Sequence, residues 1–316
     1  MRLLVDLGGT NLRCALQAPG EPPSYWRKMR CADCDGPAGA IAKFLESAGG
    51  ERPRRAAMAV AAPLAGDFVR MTNRAWSFSA EELRRQLGLE ELHVVNDFTA
   101  VAMSLPFLPP EGCVAVGGGR AATHAAIGVL GPGTGLGVSG LLPAGGRYVA
   151  LASEGGHMTL PASDEREAAV IAVLRRRGHV SAERLVSGFG LSNLYGALCE
   201  LAGKPDAGVL PPEAITLRAQ AGDALAAEAL GCFFAFLGTV AADVALVLGA
   251  RGGMYIAGGI VPGLRDEFLA SGFRTRFESK GRYSDYLAAI PTWLVIEPTP
   301  AFRGLAAILD GHRAEP

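Results

Sequence analysis

Three short stretches carry side chains that could do chemistry. Asp6 follows the apolar run Leu3-Leu4-Val5 and leads straight into Gly8-Gly9-Thr10. A carboxylate at that point can stand beside a cation, and adjacent glycines let backbone N–H groups come close to a phosphate. The same tripeptide also suits an ordinary β-hairpin turn. Asn96-Asp97 sits where the apolar run His93-Val94-Val95 passes into a helical pattern. A carboxylate there serves either as a helix cap or as a general base aimed at a hydroxyl. Glu154-Gly-Gly-His157 offers a carboxylate and an imidazole across two glycines, a set that suits a polyhydroxylated ligand. It lacks the partner carboxylates of a metal centre, and a purely structural histidine is the plain alternative.

Two more glycine-rich turns follow β-like runs, at Gly131-Pro-Gly-Thr-Gly-Leu-Gly137 and at Gly258-Gly259. Neither a Walker pattern nor a Gly-x-Gly-x-x-Gly opening a βαβ unit occurs at them. After Gly133-Thr-Gly-Leu-Gly137 no acidic residue about twenty positions on follows a second strand, which disfavours a dinucleotide site. Three such turns at strand ends suggest one nucleotide gripped from several sides.

The elements that must position these groups alternate in type. Leu3–Val5 reads as a buried strand with a returning strand at Leu12–Leu16, and Gly36–Ala48 has helical spacing. Ala56–Ala61 is a second buried strand, Phe68–Trp76 is extended, and Ser79 caps a helix carrying Glu81 and Glu82 in its first turn. The helix after Asn96-Asp97 runs to Met103, and the proline-rich stretch Pro106–Pro110 marks a domain boundary. Beyond it come Gly-rich strands, helices over Gly190–Ala202, Pro212–Ala219 and Asp223–Leu248, a strand at Met254–Ala257, an exposed segment Phe273–Arg282, a strand at Thr292–Ile296 and a closing helix at Arg303–Leu309. The class is α/β, with at least two sheets.

Composition narrows the partners. In 316 residues, 30 basic side chains against 31 acidic ones leave a net charge of −1, so no global field recruits nucleic acid or an anionic membrane. The apolar stretch Gly231–Ala250 carries Asp243 and reads as a core helix rather than a membrane span. Met1-Arg2 leads within four residues to Asp6, with no secretory leader, so a cytoplasmic protein is expected. Of six cysteines, only Cys31 and Cys34 have a redox or metal spacing, and no second pair completes a zinc set.

Taken in order, these motifs resemble the bacterial glucokinase family of the sugar kinase/Hsp70/actin superfamily. The resemblance runs through Asp6-Leu-Gly-Gly-Thr-Asn11, Met71-Thr-Asn73, Asn96-Asp-Phe-Thr-Ala100, Gly131–Gly137, Glu154-Gly-Gly-His157, His179-Val-Ser-Ala-Glu-Arg184, Ser187-Gly-Phe-Gly-Leu191, Ile256-Ala-Gly-Gly-Ile-Val-Pro262 and Lys280-Gly-Arg282. It implies a two-lobed actin-like ATPase fold built of ribonuclease H-like repeats, with an ATP and sugar cleft between the lobes. A small domain at residues 1–108, joined by the C-terminal helix 298–316, would face a large domain at 109–297.

By the same resemblance, Asp6, Leu7, Gly8, Gly9, Thr10 and Asn11 form a first phosphate loop, and Gly131, Gly133, Thr134 and Gly135 a second. Gly258 and Gly259 take the adenosine. Asn73, Asn96, Asp97, Glu154, His157 and Glu183 hold the sugar, with Asp97 as catalytic base. Mg²⁺ would reach Asp6 through ATP, directly or through water. The family phosphorylates D-glucose with ATP and is commonly homodimeric; another hexose, such as mannose, fructose or an amino sugar, is the alternative acceptor. Val5 stands where the family usually has glycine, and Phe189 where it often has proline. The cysteine-rich zinc motif of a related branch is absent after His157, so no structural zinc is expected. A sugar-sensing regulator on the same lobes would need a DNA-binding segment, and no basic helix-turn-helix precedes Leu3.

Overall fold

Leu3, Leu4 and Val5 are buried at consecutive positions, as in a strand covered on both faces, and Leu7 is buried too. That strand is the start of a mixed α/β chain, the class the sequence implies. The computed structural model describes residues 1–71, 76–204 and 210–314. Asn73, expected at the sugar, lies outside the described residues.

In chain order the first elements are β1 (Arg2–Leu7), β2 (Asn11–Gln17), β3 (Tyr25–Arg30), α1 (Pro37–Ser47), β4 (Arg55–Val60), β5 (Leu64–Ala65), β6 (Phe68–Arg70), β7 (Ser77–Ser79), α2 (Ala80–Gln86), β8 (Glu91–Asn96) and α3 (Asp97–Ser104). Next come β9 (Cys113–Ala115), β10 (Ile127–Pro132), β11 (Leu136–Ala144), β12 (Arg147–Leu151), α4 (Glu165–Arg175), α5 (Gly188–Leu201), α6 (Pro212–Gln220) and α7 (Ala224–Leu248). The chain closes with β13 (Met254–Ile256), α8 (Arg265–Leu269), α9 (Phe273–Glu278), α10 (Ser284–Ala288), β14 (Thr292–Val295), α11 (Pro300–Leu309) and β15 (Arg313–Ala314).

These elements form two compact units. The first comprises Met1–Glu111, Gly140–Ala152 and Glu297–Pro316. Its main sheet has the order β3-β2-β1-β4-β8, with β1, β4 and β8 parallel. Leu7 lies opposite Val60, and Val60 opposite Asn96, so three parallel strands end in line. Ile41 and Phe44 of α1 close the core over one face of the sheet. Helix α11 lies so close to α3 that a Cβ on Gly304 would collide with the Ala100 carbonyl oxygen. The sequence places residues 140–152 in the larger domain, and here the structure differs. They join the first unit because β12 pairs with β15 near the C-terminus, and the Tyr148 N–H donates to His312 Nδ1 at 3.3 Å.

The second unit comprises Gly112–Ser139 and Ser153–Ile296. Strands β10, β13 and β14 run parallel, and β9 lies antiparallel to β14. Its core is built on α7, whose first turn is capped by Asp223, accepting from the N–H groups of Leu225 and Ala226. Gly249 ends the helix in the left-handed region at φ +60°, where glycine carries no Cβ penalty. By length and composition α7 could cross a membrane, but Phe233, Phe234, Phe236 and Leu237 are buried inside this unit.

The expected exposed segment Phe273–Arg282 is a correction. It contains α9, with Phe273 and Phe277 fully buried. Their four-residue spacing puts both rings on one helical face, and Phe273 packs 4.8 Å from the Phe268 ring. The intervening charges mislead a composition-based reading. One of them, Arg276, turns inward to the buried carboxylate of Glu167 at 2.5 Å.

Candidate functional site

In the first unit, Gly8-Gly9-Thr10 joins β1 to the antiparallel β2, so this stretch is a β-hairpin turn. The Gly8 N–H donates to the Asn11 carbonyl at 2.9 Å, and a Cβ on Gly8 would sit 3.3 Å from that oxygen. The turn is braced from outside by Cys31. Its N–H donates to Thr10 O at 2.9 Å, and its thiol to Gly8 O at 3.5 Å. Register places Asp6 directly opposite Arg13, whose Nη1 donates to Asp6 Oδ2 at 2.6 Å. Sequence reasoning did not single out Arg13. Its signal was the hairpin itself, since directly opposed residues on paired strands share a face.

Two strands away in the same sheet, beyond β4, β8 ends at Asn96. The Asn96 Oδ1 accepts from the N–H groups of Phe98 at 2.8 Å and Thr99 at 3.3 Å, and its Nδ2 donates to Ala62 O at 3.3 Å. Asn96 is therefore the N-cap of α3, and Asp97 is the first residue of the helix. The capping role that the sequence allowed for Asp97 belongs to its neighbour. Asp97 Oδ1 accepts the Phe98 N–H at 2.9 Å. A helix N-terminus favours a carboxylate, and ligands of α/β sheets commonly sit beyond the carboxyl ends of parallel strands. Asp6 with its turn, and Asn96 with Asp97, occupy such ends.

The second unit repeats that arrangement. Strands β10 and β13 are parallel, and each runs into a glycine turn. The Gly133 N–H donates to Gly135 O at 2.8 Å, and the Gly188 N–H to Gly133 O at 2.9 Å. Thr134 at the tip is exposed. Gly258 has φ +84°, and a Cβ there would run into the Pro132 carbonyl oxygen, so only glycine fits where the two turns meet. Gly259 faces open space.

Gly155–His157 forms a single 3₁₀ turn. A Cβ on Gly156 would collide with the Leu136 carbonyl oxygen, which explains why this stretch needs small residues between its two polar ones. Glu154 and His157 project from it, each 62% exposed, with Oε2 and Nε2 3.9 Å apart. The Glu183 N–H donates to Gly156 O at 2.8 Å, and Glu183 Oε2 accepts the Leu136 N–H at 2.9 Å. Ser187 caps α5 through Gly190 and donates its hydroxyl to Glu183 O at 2.8 Å. This unit thus brings together the 131–137 turn, Gly258, the Glu154–His157 turn and Glu183. Among the described residues no group of three or more His, Cys, Asp or Glu side chains is arranged to hold a metal ion.

Comparison with known proteins adds the following. The glucokinase family model matches residues 3–312. A glucokinase of Paramagnetospirillum magneticum is 51% identical over 98% of this chain and 97% of its own. A bifunctional protein glk of Burkholderia pseudomallei is also 51% identical, and this chain spans 48% of that longer protein. Among solved structures, a glucokinase from an Antarctic psychrotroph superposes with a TM-score of 0.90 at 34% identity, over 98% of both chains.

Proposed function

Because the chain belongs to the glucokinase family, we propose that it transfers the terminal phosphoryl group of ATP to the 6-hydroxyl of D-glucose, giving ADP and glucose 6-phosphate. The observation that carries this reading is Asp97, a carboxylate at the first position of α3 with its turn held by Asn96. Asp97 accepts the hydroxyl proton as the oxygen attacks the γ-phosphorus and the bond to the ADP oxygen breaks. Glu154, His157 and Glu183, with Asn73 and Asn96, read the remaining hydroxyls. Residues 6–11 and the turn at Gly131, Gly133, Thr134 and Gly135 take the donor phosphates, while Gly258 and Gly259 take the adenosine. Little covalent chemistry falls to the protein in such a transfer, so positioning dominates.

Mg²⁺ commonly binds through one or two carboxylates plus substrate phosphates rather than an all-protein cage. A single carboxylate, Asp6, oriented by Arg13 and outside any larger acidic cluster among the described residues, fits that manner of binding. Bound there with ATP, directly or through water, the ion would neutralise charge on the phosphoryl oxygens. The same reading takes the protein as a cytoplasmic homodimer without nucleic-acid or membrane partners. Sedimentation of a monomer at micromolar concentration would overturn the dimer. Another hexose on the same fold is the alternative acceptor.

Asp97→Ala tests the reading. Turnover falls by about 10²–10⁴-fold, the usual contribution of a general base, while glucose binding stays measurable by calorimetry. Near-normal turnover in that variant contradicts the assignment.

A further inference from the structure

Glu183 touches two of the turns described above, and among the described residues one of its carboxylate oxygens is committed. Oε2 accepts the Leu136 N–H at 2.9 Å, at the point where the 131–137 turn passes into β11. A Cβ on Gly135 would collide with Oε2, so the carboxylate lies flush against the turn. Oε1 takes no hydrogen bond among the described residues. The backbone on either side is fixed: the Ala182 N–H donates to Met158 O and the Glu183 N–H to Gly156 O, both at 2.8 Å. A bond from an N–H to a carboxylate is roughly twice as strong as one between neutral groups. The side chain therefore ties the Glu154–His157 region to the end of the glycine turn, where β11 begins.

We propose that Glu183 is a positioning residue for the donor-phosphate turn as well as a ligand of the sugar. Oε2 holds Leu136 and fixes the turn, and Oε1 receives a sugar hydroxyl. The inference rests on the assignment of the 131–137 turn to ATP and of Glu183 to glucose. A hydroxyl on Oε1 orients the carboxylate, and an oriented carboxylate orients the turn. Coupling of this kind is reciprocal, so glucose and nucleotide each tighten the other's binding.

The test is calorimetric titration of the ATP analogue AMPPNP, with and without glucose, into the wild type and variants. Glu183→Ala weakens AMPPNP binding by about fivefold or more even with no sugar present, and removes the tightening by glucose. Glu183→Gln keeps an acceptor for Leu136, so sugar-free AMPPNP affinity returns to within about twofold of the wild type, while KM for glucose stays raised. An AMPPNP affinity unchanged in Glu183→Ala overturns the proposal, since loss of a sugar contact alone moves only the glucose constants. Gly135→Ala supplies an independent arm. Its added Cβ pushes on Oε2, so it weakens AMPPNP binding in the wild-type background and much less in the Glu183→Ala background. Equal penalties in both backgrounds overturn the proposal. If the wild type turns over no hexose, the kinase reading fails while the sugar-free titrations still decide the role of Glu183. If the wild type does not bind AMPPNP, the donor-turn assignment and this inference fall together.

Discussion

At the scale of single residues, Asn96 and Asp97 divide two tasks that the sequence left on one side chain. Asn96 spends its amide on the helix start and on Ala62, while Asp97 is what that turn presents. Asn96→Ala removes an N-cap worth about 1 kcal/mol of stability, and its midpoint in urea falls. Its turnover falls too, because the turn that aims Asp97 is loosened. Asp97→Asn changes turnover far more than it changes the urea midpoint. Measuring both quantities in both variants separates the roles, and an Asn96→Ala that is inactive but fully stable would leave the asparagine its sugar contact and remove the capping role. Arg13 was not legible from its own surroundings. It becomes visible only through the register that sets it opposite Asp6.

At the scale of elements, the presentation of Asp97 depends on how α3 is seated. Helix α11 approaches α3 at Gly304 with no room for a methyl group beside the Ala100 carbonyl. Gly304→Ala forces the helices apart and destabilises by about 1–3 kcal/mol, as overpacking does. A lowered melting temperature with reduced turnover is the expected pair of results; an unshifted melt contradicts the close seating. At the far end of the strands, Arg55 and Glu91 are register partners on β4 and β8, and Arg55 also donates to the Leu309 carbonyl of α11 at 2.9 Å. The hydrogen bond from Arg55, with a second from His93, holds the Glu91 carboxyl below its ordinary value of 4.5. A depressed carboxyl contributes stability above its unfolded value, and that contribution is lost as pH falls through the folded value. The gap in melting temperature between wild type and Glu91→Gln is therefore widest near neutral pH and narrows as pH falls below the ordinary carboxyl value of 4.5. Element type was mostly legible where apolar periodicity was strong, as in β1, β4 and α7. It failed at α9, where charged residues alternate with two buried phenylalanines and resemble a solvated segment.

At the scale of the whole molecule, the motifs in their order were enough to recognise the family, and some of them carry a local backbone demand that few residues meet. Gly156 and Gly258 are such cases, each set against a carbonyl oxygen. The division into units was less legible. Residues 140–152 belong with the chain ends through a pairing of Val149 with Arg313, and nothing local in a strand announces so distant a partner. The proposed function belongs to this scale as well, since its donor and acceptor residues come from distant parts of the chain. The most direct measurement is ADP release by the purified wild type with ATP, Mg²⁺ and a panel of hexoses, glucose first. The account predicts ADP release that depends on sugar, is highest in kcat/KM for glucose, and yields glucose 6-phosphate in equal amount. ADP release at the same rate without sugar, or a higher kcat/KM for another hexose, would contradict it.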